Sequence, residues 1–65
     1  MVKVGDKVKI LSQFLPFKQK YVGETGVVIY VSQFNLEGID VVMADGSTVT
    51  CENISEYAII NEEVI

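Results

Sequence analysis

Apolar and polar positions are most informative in Val41–Cys51, Val-Val-Met-Ala-Asp-Gly-Ser-Thr-Val-Thr-Cys. Side chains of a strand alternate between faces, so two strands joined by a turn must agree on which face is apolar. Asp45-Gly46 marks the turn, because this dipeptide between alternating apolar residues is the strongest short-range hairpin signal. A two-residue loop would set Val42 opposite Val49 and Met43 opposite Thr48, mixing both faces. A three-residue loop, Ala44-Asp45-Gly46, instead places Ile39, Val41, Met43, Val49 and Cys51 on one face. Asp40, Val42, Thr48 and Thr50 fall on the other. Burial of a whole apolar face outweighs the small preference between turn types. The longer loop is therefore expected, with Gly46 in the left-handed region.

Other stretches carry weaker versions of the same signal. Lys7–Leu11 alternates Lys-Val-Lys-Ile, so Val8 and Ile10 face inward and the lysines outward. Val27–Val31, Val-Val-Ile-Tyr-Val, has the strongest strand propensity in the chain. Val27, Ile29 and Val31 are expected to face the core, with Val28 and Tyr30 outward. Ser12–Tyr21 has no clean period, and Pro16 removes a backbone donor, so this stretch reads as a long loop. Gly23-Glu24-Thr25-Gly26 reads as a turn into the strand that follows. Glu52–Tyr57 suits a single 3₁₀ turn with Ile54 tucked inward, and Ala58-Ile59-Ile60 a brief closing strand. Asn61–Ile65 is an acidic tail, expected to fray.

Sixty-five residues make one domain, spanning 1–65, with a thin stability margin. One cysteine rules out an internal disulfide framework and a multi-cysteine metal site, and Cys51 on the inward face is expected to be a small buried hydrophobe. With no histidine, neither a Cys-His pair nor a Ser-His-Asp triad can form. The sequence shows no phosphate-binding glycine motif and no metal constellation. No catalytic residue, metal ligand or cofactor is therefore assigned, and the chain is not expected to be an enzyme. No apolar run is long enough to span a membrane and no secretory leader is seen, so a cytoplasmic location and no membrane association are expected.

Net charge is −4, but its distribution is uneven. All five lysines lie in the first 20 residues, and eight carboxylates and no cation follow from Tyr21 onward. A small barrel brings its first strand beside its last, so the two signs are expected to neutralise each other locally.

The order of signals has a further meaning. Val4-Gly5-Asp6-Lys7-Val8, Gly23-Glu24-Thr25-Gly26-Val27, Asp45-Gly46 and the Glu52-Asn53-Ile54 turn together resemble the small SH3-like barrels, KOW-type and Tudor-like domains included. The resemblance covers nearly the whole chain. It implies an all-β domain of about five short antiparallel strands, with a 3₁₀ turn before the last. Gly5–Leu11 is also similar to the small photosystem I subunit of this fold. Gly5-Asp6-Lys7-Val8, Leu36-Glu37-Gly38 and Gly46-Ser47 are similar to the plasmid-encoded type II dihydrofolate reductase. In that family the next strand carries Val-Gln-Ile-Tyr; here it is Thr48-Val49-Thr50-Cys51, and the activity is not carried over.

Fold motifs shared by members with unrelated functions do not select one. The expected function is a small non-catalytic binding module that holds a protein partner or a second copy of itself. Outward Val28, Tyr30 and Val42 would form one patch, and the loop at 12–21 would add Phe14, Phe17, Lys18, Lys20 and Tyr21. The alternative is a KOW-like nucleic-acid-binding domain, in which the same lysines and aromatics supply charge and stacking faces. The acidic balance and the absence of arginine weigh against that alternative.

Overall fold

The computed structural model describes residues 2–13 and 16–60, with backbone alone at Phe17 and Lys18. Five strands form one antiparallel sheet: β1 (Lys7–Ile10), β2 (Thr25–Val31), β3 (Ile39–Met43), β4 (Thr48–Cys51) and β5 (Tyr57–Ile60). Their spatial order is β4-β3-β2-β1-β5. Among the described residues the sheet is open, with β4 and β5 as its edges, and no α-helix occurs. The first strand lies beside the last, as expected, with Lys7 opposite Ile60 and Ile10 opposite Tyr57.

The hairpin follows the face argument. Val41 pairs with Val49 and Ile39 with Cys51. Met43 N–H donates to Ser47 O at 2.8 Å, closing a three-residue loop in which Gly46 has φ +87°. Ile39, Val41, Met43, Val49 and Cys51 are all buried. With Val8, Ile10, Val28 and Tyr57 they make up most of the core, and Val2 and Tyr21 complete it.

Strand β2 corrects the expected phase. Val28 faces the core and is fully buried, while Val27 and Ile29 are exposed. Two features set this phase. Gly26 lies between Val8 on β1 and Met43 on β3, on the inward face. A Cβ there would come within 2.5 Å of Val41 Cγ1 and 2.6 Å of Val42 O, so the neighbours occupy its volume. A side chain of any size at that inward point would be excluded, and glycine in a strand often marks such a close approach. A bulge then falls between Val28 and Tyr30, which pair with Val41 and Asp40. Ile29 is the extra residue, so Tyr30 turns outward and Val31 packs against the core. The later half of the expected phase therefore holds and the earlier half is inverted.

Two connections also differ from expectation. The long loop contains a 3₁₀ segment, Pro16–Tyr21. Proline is tolerated at the first position of a helical turn, where its missing N–H is not needed. The second 3₁₀ turn, Ile54–Glu56, lies where it is expected, but Ile54 is 53% exposed. Tyr57, one step beyond the turn, fills the core instead, and its hydroxyl donates to Glu37 O at 2.9 Å. The expected tail at 61–65 and Phe14 lie outside the described residues.

Candidate functional site

The aromatic and lysine-rich stretch divides between core and surface. Tyr21 is buried, and its hydroxyl donates to Asp45 Oδ2 at 2.8 Å, pinning the first 3₁₀ segment to the hairpin tip. Lys20 is exposed, with Nζ 5.1 Å from the centroid of the Tyr21 ring. These two line a cavity of about 190 Å³ with Glu24, Met43, Ala44 and Asp45. The Ser47 N–H, and then the Tyr21 hydroxyl, hold the Asp45 carboxyl below its ordinary range. Phe14 and the side chains of Phe17 and Lys18 lie outside the description.

Val28 leaves the expected surface patch, because it is core. The outward apolar pair is Val27 and Val42, directly opposite each other, with Val42 half-buried. Tyr30 is half exposed, as expected for an outward residue. It pairs with Asp40 at the start of β3, whereas the Tyr21 cavity lies beyond the end of β3 at Met43. Among the described candidates, Tyr21 with Lys20 and Tyr30 thus fall at opposite ends of one strand and do not form a single site.

The Tyr30 end has the more developed surface. There the 32–38 connection is tied down by its own polar groups. Ser32 Oγ accepts from the N–H groups of Phe34 and Asn35, both at 3.2 Å. Asn35 Oδ1 accepts from Glu37 N–H at 3.1 Å, and Gly38 N–H donates to Asn35 O at 2.8 Å. Short polar side chains that satisfy nearby backbone groups fix loops in this way. The loop is also joined to the turn before β5. Asn35 Nδ2 donates to Glu52 O at 2.8 Å, and Ile54 N–H donates to Glu37 Oε1 at 3.0 Å. The Glu56 carboxylate accepts from the N–H groups of Glu52 and Asn53 at 3.1 and 3.0 Å, holding the turn itself.

On this braced framework Phe34 is 99% exposed, and Leu36 and Ile54 are each 53% exposed. Chain neighbours of Phe34, with residues of β2, β3 and β4, line a cavity of about 240 Å³: Tyr30, Ser32, Asn35, Asp40, Thr50 and Glu52, with the buried Gly38, Ile39 and Cys51. Sequence reading missed this group. Asp40, Thr50 and Glu52 look like ordinary outward positions, and Phe34 and Leu36 fall in a connection without periodicity.

Cys51 is fully buried, and burial pushes its thiol up to about 11, with the nearby Glu56 charge adding to the effect. Gln13 Nε2 lies 3.4 Å from its sulfur and acts in the opposite direction. A thiol kept protonated in this way is a packing group. Among the described residues no three potential metal-ligating side chains gather, and no helix is long and apolar enough to cross a membrane. No family model, curated protein or solved structure matches the chain.

Proposed function

We propose that the chain is an SH3-like, non-catalytic binding module whose recognition face is the end of the sheet carrying Tyr30, Phe34, Leu36 and Ile54. The strand order β4-β3-β2-β1-β5 and the 3₁₀ turn before β5 support the SH3-like reading. The observation that carries the functional reading is Phe34. A wholly exposed phenylalanine on a loop secured by its own hydrogen bonds is expensive to leave in water and is suited to be covered by a partner. The bracing bonds mean that little ordering entropy is lost when a partner docks.

The test has two arms. Selection of displayed random peptides on the immobilised chain reports a protein partner, and light scattering at two concentrations reports self-association. Either signal should be lost in Phe34→Asp, with the circular dichroism spectrum unchanged. A strict monomer that enriches no peptide refutes the reading.

A further inference from the structure

The cavity lined by Tyr30, Asp40 and Glu52 has a definite chemical sense. Among the described residues, its ionisable lining groups other than Tyr30 and Cys51 are the carboxylates of Asp40 and Glu52, and no lysine lines it. The donors in its wall are largely committed. Thr50 Oγ1 donates to Asp40 Oδ1 at 2.8 Å, and Asn35 Nδ2 donates to Glu52 O at 2.8 Å. Neither Asp40 Oδ2 nor the Glu52 carboxylate takes a hydrogen bond from a described residue. The wall therefore offers acceptors and few donors, which suits a donor-rich cation and repels an anion. Tyr30 adds a half-exposed ring, and an aromatic face attracts a cation placed over it.

The surroundings have the same sign. Glu37 and Glu56 brace the adjoining loop and turn. The ion pair formed among the described residues, Lys3 with Asp6 at 2.7 Å, lies within the lead-in to β1. No described lysine lines the cavity, so the local neutralisation expected from the sequence is not seen in its described lining. A volume of about 240 Å³ is below the roughly 300–1,000 Å³ of sites that enclose a drug-sized ligand, and suits one long side chain.

We propose that the cavity between Tyr30, Asp40 and Glu52 seats a single arginine or lysine side chain from a basic protein partner. The partner's neighbouring apolar residues would rest on Phe34 and Leu36. This deepens the binding-module reading and rests on it. Arginine fits better than lysine, because a planar guanidinium can lie against the Tyr30 ring while its N–H groups reach both carboxylates.

The experiment titrates the ¹⁵N-labelled full chain with acetyl-Gly-Gly-Arg-Gly-Gly-amide and with its neutral citrulline counterpart. The arginine peptide should shift the amides of Tyr30, Ser32, Asn35, Gly38, Asp40 and Glu52, and the citrulline peptide should not. Asp40→Asn combined with Glu52→Gln should weaken binding about tenfold, and Tyr30→Leu by about three- to fivefold. Glu24→Gln, in the other cavity, should leave it unchanged. Equal shifts from both peptides, or an unchanged titration midpoint in the double variant, would overturn the proposal. Concentration-dependent dimerisation that disappears in the double variant would also overturn it, naming a second copy as the occupant. If displayed peptides bind through Phe34 but the arginine peptide leaves the cavity untouched, the cation seat falls and the binding module stands. If no peptide enriches and no self-association occurs, the binding-module reading and the cation seat that rests on it fall together.

Discussion

Gly26→Ala tests the packing argument most directly. The added Cβ would lie 2.5 Å from Val41 Cγ1, 2.6 Å from Val42 O and 2.8 Å from Met43 Sδ. Met43 can swing its flexible end away. Val41 is buried and has few rotamers, and Val42 O is backbone on the paired strand, so relief requires β2 and β3 to separate locally. Overpacking of this kind costs about 1–3 kcal/mol, and the backbone contact puts it at the upper end. Alanine also restricts the unfolded chain, which returns about 0.4–1 kcal/mol. A net loss of about 2 kcal/mol follows. A domain of this size has roughly 3–10 kcal/mol in total, and each kcal/mol moves its midpoint by about 4–8 °C. Thermal and urea unfolding followed by circular dichroism should therefore show Tm lower by about 8–16 °C. Gly46→Ala, where a Cβ meets nothing within 4 Å but φ is +87°, serves as a control for strain alone. A Gly26→Ala change below about 0.5 kcal/mol would refute the view that this contact sets the inward phase of β2.

Other outcomes follow from the same framework. Val28→Lys should leave the chain unfolded by circular dichroism, since it places an unpaired ammonium in the core, whereas Tyr30→Leu should keep the native spectrum. Cys51, raised to about 11, should react with a thiol reagent at pH 8 about 100-fold more slowly than an ordinary thiol; full labelling within the mixing time under native conditions would contradict its burial. Because the fold favours the neutral thiol, that contribution to stability is complete below about pH 9 and is lost as pH rises through about 11. Asp45 behaves in the opposite sense. Its anion is the form bound by the Ser47 N–H and the Tyr21 hydroxyl, so its contribution is complete above about pH 4 and is lost as pH falls through the lowered value. Tyr21→Phe should move the Asp45 carboxyl resonance titration upward, and an unchanged titration would show that the bond from Tyr21 is not formed in solution.

The legibility of the fold varied with the redundancy of the pattern. The β3–β4 hairpin could be read because its two faces differ in polarity, so one loop length alone sorted Ile39, Val41, Met43, Val49 and Cys51 together. Strand β2 has apolar side chains on both faces from Val27 to Val31, and alternation then carries no information about phase. The deciding signals were a missing side chain at Gly26 and a bulge at Ile29, both of which depend on the neighbouring strand. Pro16 removes a backbone donor, which argues for a loop, but the same residue is suited to open a 3₁₀ turn. The braced cavity was illegible because its parts come from β2, the 32–38 connection, β3 and β4, and no local pattern joins them. Among the described candidate residues, Tyr30 is the one that lines it.

The pairing of Lys7 with Ile60 has a practical consequence. Residues directly opposite in an antiparallel ladder have Cα atoms only about 4.5–5.5 Å apart. The chain therefore enters the sheet and leaves it through nearly the same point on the surface. A host protein could receive residues 2–60 within one of its own exposed turns, since the sheet's entry and exit points would hardly need to part and the core residue Val2 would be kept. The Tyr30 end of the sheet could thus be grafted onto another scaffold as a cassette, with its braced loop held by the cassette's own hydrogen bonds.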